Sequence, residues 1–331
     1  MKILANDGIS QSGIDALQSN GFEVITTKVA QVQLENFINK HQIDVILVRS
    51  ATQVRQELID ACPSIKLIGR GGVGMDNIDV NYAIDQGIHV INTPKASSSS
   101  VAELVFAHLF GMVRFLHQSN REMPLEGDSR FKDLKKAYAL GSELRGKKIG
   151  IVGFGRIGQE VARIALGLGM EVLATDHFTE SAPISIEFFN GQKITITIET
   201  TDLDTLLKES DFISLHVPVQ ENYVIGTKEI SKMKTGVGII NAARGGVVNE
   251  IELIKAIKEK KVKFAGLDVF EKEPLRNDSK LLELENVILT PHVAGLGNNY
   301  WEKALPIFIE NLINFIQGKS LTNIVNMSRG Y

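Results

Sequence analysis

An arginine follows an apolar segment at a point where a positive charge can meet a ligand. The segment GVGIINAARGG (236–246) begins with β-branched and small apolar residues, which predict a buried strand. Arg244 comes directly after these apolar residues. In open parallel sheets, ligands bind beyond the carboxyl ends of the strands. The guanidinium of Arg244 is therefore a candidate anion ligand, and a surface arginine without a ligand fits the pattern equally well.

A glycine-rich segment predicts a nucleotide site. GFGRIG (153–158) has the spacing G-x-G-x-x-G, follows the apolar segment KKIGIV and opens the helical segment RIGQEVARIALGLG. The glycines permit a tight turn, close approach of a pyrophosphate, and close packing of helix on strand. The helix N-terminus offers free amides to the phosphates. The predicted binding residues are Gly153, Gly155, Arg156, Ile157 and Gly158, with a purely structural turn as the alternative.

Asp176 indicates which dinucleotide would bind. It ends the next strand segment, EVLATD (171–176). A carboxylate there can accept hydrogen bonds from both ribose hydroxyls of adenosine, whereas a 2′-phosphate would meet a like charge. We therefore expect NAD rather than NADP.

Short apolar segments alternate with amphipathic ones, which is the pattern of βαβ units. Five strand candidates come first: KILAND (2–7), FEVITT (22–27), DVILVRS (44–50), KLIGRGG (66–72) and HVINTP (89–94). Six more follow: KKIGIVGFG, EVLATD, DFISLHV, VGIINAA, KFAGLDVF and NVILTP. We predict an α/β protein with two doubly wound, Rossmann-like parallel sheets.

Three segments depart from this alternation. Ser100 and Glu103 have the capping-box spacing and predict the start of a long apolar helix. Residues 121–146 are polar and weakly periodic, which favours a loop with at most a turn of helix. Residues 184–200 alternate on both sides of Asn190-Gly191, which predicts an antiparallel hairpin with a type I′ turn. A last amphipathic helix is predicted from about residue 299 to residue 318.

Composition limits the class of protein. The chain has 331 residues, 44% of them hydrophobic, which favours two domains. A net charge of −3 gives no reason to expect nucleic acid or a membrane surface as a partner. A single cysteine, Cys62, and the absence of a signal-like apolar stretch favour the cytoplasm. The seven histidines show no metal-ligand spacing, so we expect no metal.

In combination, these motifs resemble those of the D-isomer-specific 2-hydroxyacid dehydrogenases over nearly the whole chain. Besides the glycine-rich segment, the shared motifs are LHVP (215–218), INAARGG (240–246), GLDVFEKEP (266–274) and TPHVAG (290–295). The resemblance implies that Arg244, Glu273 and His292 carry the catalysis. Arg244 would hold the carboxylate and carbonyl of a 2-oxo acid, since a guanidinium binds both in fixed geometry.

The family resemblance also implies the other catalytic and cofactor roles. His292 would exchange a proton with the substrate oxygen, and the carboxylate of Glu273 would favour its charged form. Asp268 would contact the carboxamide of nicotinamide. His216, Pro218 and Ala242 would line the cofactor site, with a structural role as the alternative for His216 and Pro218.

The substrate residues are predicted in the first part of the chain. Amides of GRGGVGM (69–75) could form an anion-binding nest, with Gly72, Val73 and Gly74 as the predicted contacts. Arg49 and Arg70 are the candidates for a substrate phosphate, and surface arginines without a ligand are the alternative. VRSAT (48–52), GRGGVGMDNID (69–79) and KSLTNIVN (319–326) resemble the members that oxidise 3-phosphoglycerate. The sequence lacks the regulatory C-terminal segment of many such members, so a short form is expected.

The architecture expected from the family is discontinuous. Residues 1–98 and 299–331 would form the substrate domain and residues 99–298 the NAD domain, with the active site in the cleft between them. A homodimer through the NAD domain is also implied. The alternatives are a glyoxylate or hydroxypyruvate reductase, a D-lactate dehydrogenase, or a scaffold that binds NAD without turnover, as related corepressors do.

Overall fold

The chain forms two compact units. The structure, a computed structural model, describes residues 1–297 and 300–325. Unit 1 comprises Met1–Ser97 and the segment that begins at Gly295, and unit 2 comprises Ser98–Ala294. The second domain boundary predicted from the sequence, at 298/299, lies outside the described residues.

Unit 1 contains a five-stranded parallel sheet in the order β2-β1-β3-β4-β5. Its strands are β1 Lys2–Ala5, β2 Glu23–Ile25, β3 Val45–Val48, β4 Leu67–Arg70 and β5 His89–Asn92. The intervening helices are α1 Gln11–Ser19, α2 Gln31–His41, α3 Gln56–Ala61 and α4 Val80–Asp85. All five strands were expected from the alternation of the sequence, and all five are confirmed.

The strands of this sheet carry apolar side chains on both faces, and each face packs against helices. Ile3 and Leu47 pack on one face with Phe308 of the last helix, Tyr300–Ile316, whereas Leu4 and Ile46 pack on the other. Continuous apolar strands of this kind are typical of parallel sheets. The last helix agrees with the prediction for residues 299–318 to within two residues at each end.

Unit 2 contains six parallel strands in the order β13-β12-β11-β10-β6-β7. They are β6 Lys148–Val152, β7 Glu171–Thr175, β10 Phe212–Leu215, β11 Val237–Asn241, β12 Val262–Leu267 and β13 Val287–Leu289. The helices are α5 Ser98–Val113, α6 Leu116–Glu126, α7 Phe131–Tyr138, α8 Arg156–Gly167, α9 Leu203–Glu209, α10 Thr227–Lys232 and α11 Glu250–Lys258. The strand order reverses at β6, and ligands of doubly wound sheets bind at such a reversal.

The helical segment before β6 differs from the prediction in two ways. Helix α5 begins at Ser98, so Ser100 lies inside its first turn and the predicted capping box is wrong. Residues predicted as loop between 121 and 146 contain most of α6 and all of α7. The two helices contact each other, since the Tyr138 hydroxyl donates to Glu122 at 2.7 Å. This tertiary contact leaves no periodic signal in the sequence.

The hairpin is confirmed, but its turn is of another type. Strands β8 Ser181–Glu187 and β9 Lys193–Glu199 pair antiparallel after β7. The Phe188 amide donates to the Gln192 carbonyl at 2.8 Å, and of the turn residues only Gly191 has a positive φ. A type I′ turn needs positive φ at both central residues, so the predicted turn type is wrong. The bond between Phe188 and Gln192 closes a loop of three residues, 189–191, instead of two.

Within the described part of the chain, no single helix is long and apolar enough to cross a membrane. Helices α5 and α6 together meet the length and composition criteria, but they are bent by 55° relative to each other.

Candidate active site

The glycine-rich loop joins β6 to the N-terminus of α8. Gly153 has φ +94°, and a side chain there would collide with the carbonyl of His216. A side chain on Gly158 would collide with the carbonyl of Gly153, so this glycine allows the helix to begin against the strand. Around Gly155, in contrast, a Cβ would meet no atom of the chain. The open side of the loop therefore lies at Gly155, where the α8 amides begin.

Asp176 holds this loop to the end of β7. Its Oδ2 accepts from the Phe154 amide at 2.6 Å, and its Oδ1 accepts from the amides of Phe178 and Thr179 at 2.8 and 3.0 Å. A carboxylate has about four acceptor positions, so capacity for ribose hydroxyls remains. The ribose contact stays a prediction, and so do the roles of Arg156 and Ile157, the first two residues of α8.

His216 lies next to the loop, after β10. Its Nε2 is 2.8 Å from the Ser214 hydroxyl, and its buried Nδ1 has no partner in the described part of the chain. Burial lowers the pKa of His216 to about 3, so the ring is neutral at physiological pH. Pro218 is exposed just beyond it, and Ala242 lies buried after β11. Contact of these three residues with a cofactor stays a prediction.

Arg244 is carried by a turn that Asn241 builds. The Asn241 side chain donates to the Arg244 carbonyl at 2.9 Å and accepts from the Ala243 amide at 3.1 Å. Two glycines follow Arg244. A Cβ on Gly245 would collide with the Phe270 carbonyl, so this glycine lets the loops after β11 and β12 approach each other.

His292 and Glu273 lie in hydrogen-bonding contact at the same edge of the sheet. His292 Nδ1 lies 2.9 Å from Glu273 Oε2, and the Phe270 amide donates to Glu273 Oε1 at 3.1 Å. The two side chains are 48% and 37% exposed. Because Nδ1 faces the carboxylate, Nε2 is the ring nitrogen that can exchange a proton with a substrate.

Asp268, the residue that follows β12, is buried. Its side chain is 0% exposed and accepts from the Thr290 hydroxyl at 2.6 Å and from the amides of Val293 and Ala294 at 2.9 and 2.8 Å. Both oxygens therefore bind the loop that carries His292. The expected contact with the carboxamide of nicotinamide stays a prediction, and holding this loop is a role that sequence reasoning missed.

In unit 1, the buried Asn77 side chain contacts the main chain of Arg49 and the side chain of Arg70. Asn77 Nδ2 donates to the Arg49 carbonyl at 2.7 Å, and Asn77 Oδ1 accepts from Arg70 Nε at 3.0 Å. The Arg49 amide donates to Asp7 at 2.7 Å. Asn77 was not singled out from the sequence, because its position in the segment GRGGVGMDNID gives no sign of this contact.

The predicted anion nest is smaller than expected. The Gly72 amide donates to the Thr93 hydroxyl at 3.0 Å, so the chain itself uses this donor. Gly72 has φ +150°, a backbone conformation that residues with a side chain rarely adopt, which explains why glycine is needed there. The amides of Val73 and Gly74 remain as the predicted contacts, and the Val73 carbonyl is held by Asn92 at 3.0 Å.

Comparison with known proteins identifies the larger unit. Residues 106–294 match the family described as D-isomer specific 2-hydroxyacid dehydrogenase, NAD binding domain. The chain is 41% identical to the hydroxypyruvate reductase of Thermotoga maritima over 299 residues, which cover 89% of this chain and 91% of that protein. It is 40% identical to the D-3-phosphoglycerate dehydrogenase of Archaeoglobus fulgidus over 330 residues.

The two relatives differ in length. The match covers 99% of this chain and 59% of the Archaeoglobus protein, so the chain spans about three fifths of that relative. Among solved structures, the holo form of the Rhodotorula graminis D-mandelate dehydrogenase has a TM-score of 0.84 at 26% identity, covering 98% of this chain and 97% of the other. The two parallel sheets are thus those of a known two-unit fold.

Proposed function

Because the chain belongs to the D-isomer-specific 2-hydroxyacid dehydrogenase family, we propose that it oxidises a D-2-hydroxy acid to the 2-oxo acid with NAD. The observation that carries this proposal is the His292–Glu273 pair, which lies at the edge of the sheet where the glycine-rich loop also lies. The open space at Gly155, beside the first amides of α8, fits a pyrophosphate. NAD supplies the acceptor for the hydride.

In the proposed reaction, His292 Nε2 accepts the proton of the substrate hydroxyl while the hydride leaves C2. The charge that forms on the ring is stabilised by Glu273 at 2.9 Å. The guanidinium of Arg244 binds the substrate carboxylate and the oxygen that becomes a carbonyl. In the reverse direction, His292 Nε2 returns the proton to that oxygen.

We propose 3-phosphoglycerate as the substrate, which places the enzyme at the first step of serine synthesis. The support is local: the Asn77 side chain binds Arg70 Nε and also the main-chain carbonyl of Arg49, and guanidinium groups suit a dianion. The relatives do not decide the question, since a hydroxypyruvate reductase matches at 41% identity and a phosphoglycerate dehydrogenase at 40%. A hydroxypyruvate or glyoxylate reductase is therefore the second candidate.

Kinetics on a substrate panel would separate the candidates. We expect turnover of 3-phosphoglycerate with NAD, and Arg49→Ala should raise KM for it by about 10- to 150-fold, since a charge-assisted contact contributes about 1.5–3 kcal/mol. KM for hydroxypyruvate, which lacks the dianion, should change little. Arg55→Ala is the matched control, because Arg55 is a unit 1 cation paired with Asp79. An equal loss for both substrates would contradict the phosphate role.

We also propose a homodimer formed through unit 2. The support is a set of exposed apolar side chains on α6, α7 and the turn that follows: Leu116, Leu125, Phe131 and Leu140. Exposed apolar residues that form a contiguous patch mark interaction surfaces, and we propose that these four do so. Light scattering should give twice the mass of 36.4 kDa, and Leu125→Glu combined with Leu140→Glu should give the monomer mass. A monomer in the unmodified protein would contradict the proposal.

A further inference from the structure

The backbone at His292 is held in an unfavourable conformation. Its φ is +54°, in the left-handed region that only a few per cent of residues other than glycine adopt. The His292 amide donates to the carbonyls of Asp268 and Thr290 at 2.8 and 3.0 Å. Strained backbone of this kind persists only where surrounding contacts enforce it.

Asp268 binds the loop on both sides of His292. Its carboxylate accepts from the Thr290 hydroxyl on one side and from the amides of Val293 and Ala294 on the other. Three donors to one buried carboxylate fix the path of the chain through His292. The ring is thereby directed to Glu273, at 2.9 Å from its Nδ1.

Thr290 is bound in turn by a buried histidine from α5. His108 is 3% exposed, and its Nε2 lies 3.2 Å from the Thr290 hydroxyl oxygen. Gly266 leaves the space that the ring fills, since a Cβ there would lie 2.7 Å from His108 Nδ1. Burial lowers the pKa of His108, against the attraction of the Asp268 charge, so the ring is neutral.

The direction of these hydrogen bonds follows from proton count. The Thr290 hydroxyl has one proton and gives it to Asp268 at 2.6 Å. Toward His108 it can therefore only accept, so His108 carries its proton on Nε2. Nδ1 is then the unprotonated nitrogen, and it is the buried atom without a partner in the described part of the chain. The chain of donors runs from His108 through Thr290 to Asp268.

We propose that Thr290 and His108 are positioning residues that hold His292 in its left-handed conformation through Asp268. This inference rests on the proposed acid-base role of His292, and it holds for any 2-hydroxy acid substrate. Removal of the Thr290 hydroxyl leaves Asp268 with backbone donors only, on one side of His292. The ring then loses its fixed direction toward Glu273 and the substrate.

The test compares Thr290→Val, which keeps the shape and removes the hydroxyl, with Thr290→Ser, which keeps the hydroxyl. Thr290→Val should lower kcat by about 10- to 100-fold, since a misplacement of about 1 Å at a reacting group has effects of this size. The Kd for NADH should stay within about twofold. Thr290→Ser should retain most of the activity.

Two further measurements separate positioning from a general structural effect. In the His292→Ala background, Thr290→Val should cause no further loss of kcat, because the group through which it acts is gone. In NMR of histidine-labelled protein, the His292 signal, assigned by its loss in His292→Ala, should move in Thr290→Val and not in Thr290→Ser. This signal is read without turnover, so it tests the inference even if the proposed substrate is wrong.

Equal loss of kcat in both backgrounds, or an unmoved His292 signal in Thr290→Val, would overturn the inference. If Thr290→Val does not fold, His108→Leu replaces it, since that change removes the donor and leaves the bond between Thr290 and Asp268. His108→Leu should move the same signal by a smaller amount. A signal identical to that of the unmodified protein would again overturn the proposal.

Discussion

Two carboxylates close to His292 have different environments and therefore different uses. Glu273 is 37% exposed and contacts the ring, so its charge acts directly on the proton of His292. Asp268 is fully buried, and its carboxylate accepts from the amides of Val293 and Ala294 in the loop that carries His292. Sequence alone shows three acidic residues in GLDVFEKEP, and burial is what separates the roles of Asp268 and Glu273.

His292→Ala should lower kcat by roughly 10²- to 10⁴-fold while NAD affinity stays nearly unchanged, because the proton transfer is made in the transition state and not on cofactor binding. Steady-state kinetics and NADH titration measure the two effects. His177→Ala is the control, an exposed histidine next to Asp176. A parallel loss of NAD affinity would place His292 in cofactor binding.

Glu273→Gln should lower kcat for oxidation. Proton transfer from the substrate places a positive charge on the His292 ring, and the carboxylate 2.9 Å from its Nδ1 stabilises that charge. Initial rates and NADH titration measure kcat and cofactor affinity. An unchanged kcat would mean that Glu273 only holds the Phe270 amide.

Asp176→Ala should weaken the use of NAD and relax discrimination against NADP, because the like charge that opposes a 2′-phosphate is lost. Asp176→Asn is the matched variant, since its amide keeps one acceptor for the loop amides that Asp176 binds. Comparison of kcat/KM for both cofactors measures the change. Preference for NADP in the unmodified protein would contradict the assignment.

At the scale of elements, the turn from β6 to α8 separates two kinds of glycine. Gly158→Ala should lower the Tm by several degrees and abolish NAD binding, because its Cβ would collide with the Gly153 carbonyl. Gly155→Ala should leave the Tm unchanged, since its Cβ meets no atom of the chain, and should still weaken NAD binding. Calorimetry and NADH titration test the pair. Normal NADH affinity in Gly155→Ala would contradict the assignment of the pyrophosphate.

The sequence predicted the elements whose apolar pattern is strong. All eleven parallel strands and the hairpin were found because continuous or alternating apolar residues mark them. Helices α6 and α7 were missed, since α6 buries no residue completely and α7 only Leu134. Asn77, Thr290 and His108 were missed for a different reason: a residue type shows what it can bond, whereas its partner depends on the fold.

At the scale of the whole molecule, the two units contain the same arrangement of hydrogen bonds around one aspartate at the amino ends of their sheets. Asp44, before β3, accepts from the Lys2 amide and the Lys66 ammonium at 2.9 and 2.6 Å. Asp211, before β10, accepts from the Lys148 amide and the Lys234 ammonium at 2.8 and 2.9 Å. In each unit, one carboxylate thus binds the first strand of the sheet in chain order, β1 or β6, and a lysine side chain from another segment.

These two carboxylates should make each unit sensitive to acid. Burial raises the pKa of both groups, but the hydrogen bonds from the lysine amides and ammonium groups outweigh it, and each pKa lies below its ordinary value. A lowered pKa stabilises the fold above the unfolded value of about 3.9. This stability is lost as the pH falls through the lower native value.

Asp44→Asn and Asp211→Asn should therefore each lower the Tm at pH 7 by about 2–4 °C, the shift expected for about 1 kcal/mol in a unit of this size. The difference from the unmodified protein should stay constant down to about pH 5 and shrink below about pH 4, where the native carboxyls also become protonated. Calorimetry from pH 7 to pH 3 measures this, with exposed Asp128→Asn as the control. A difference that grows on acidification would show that the carboxylates do not stabilise the sheets through their charge.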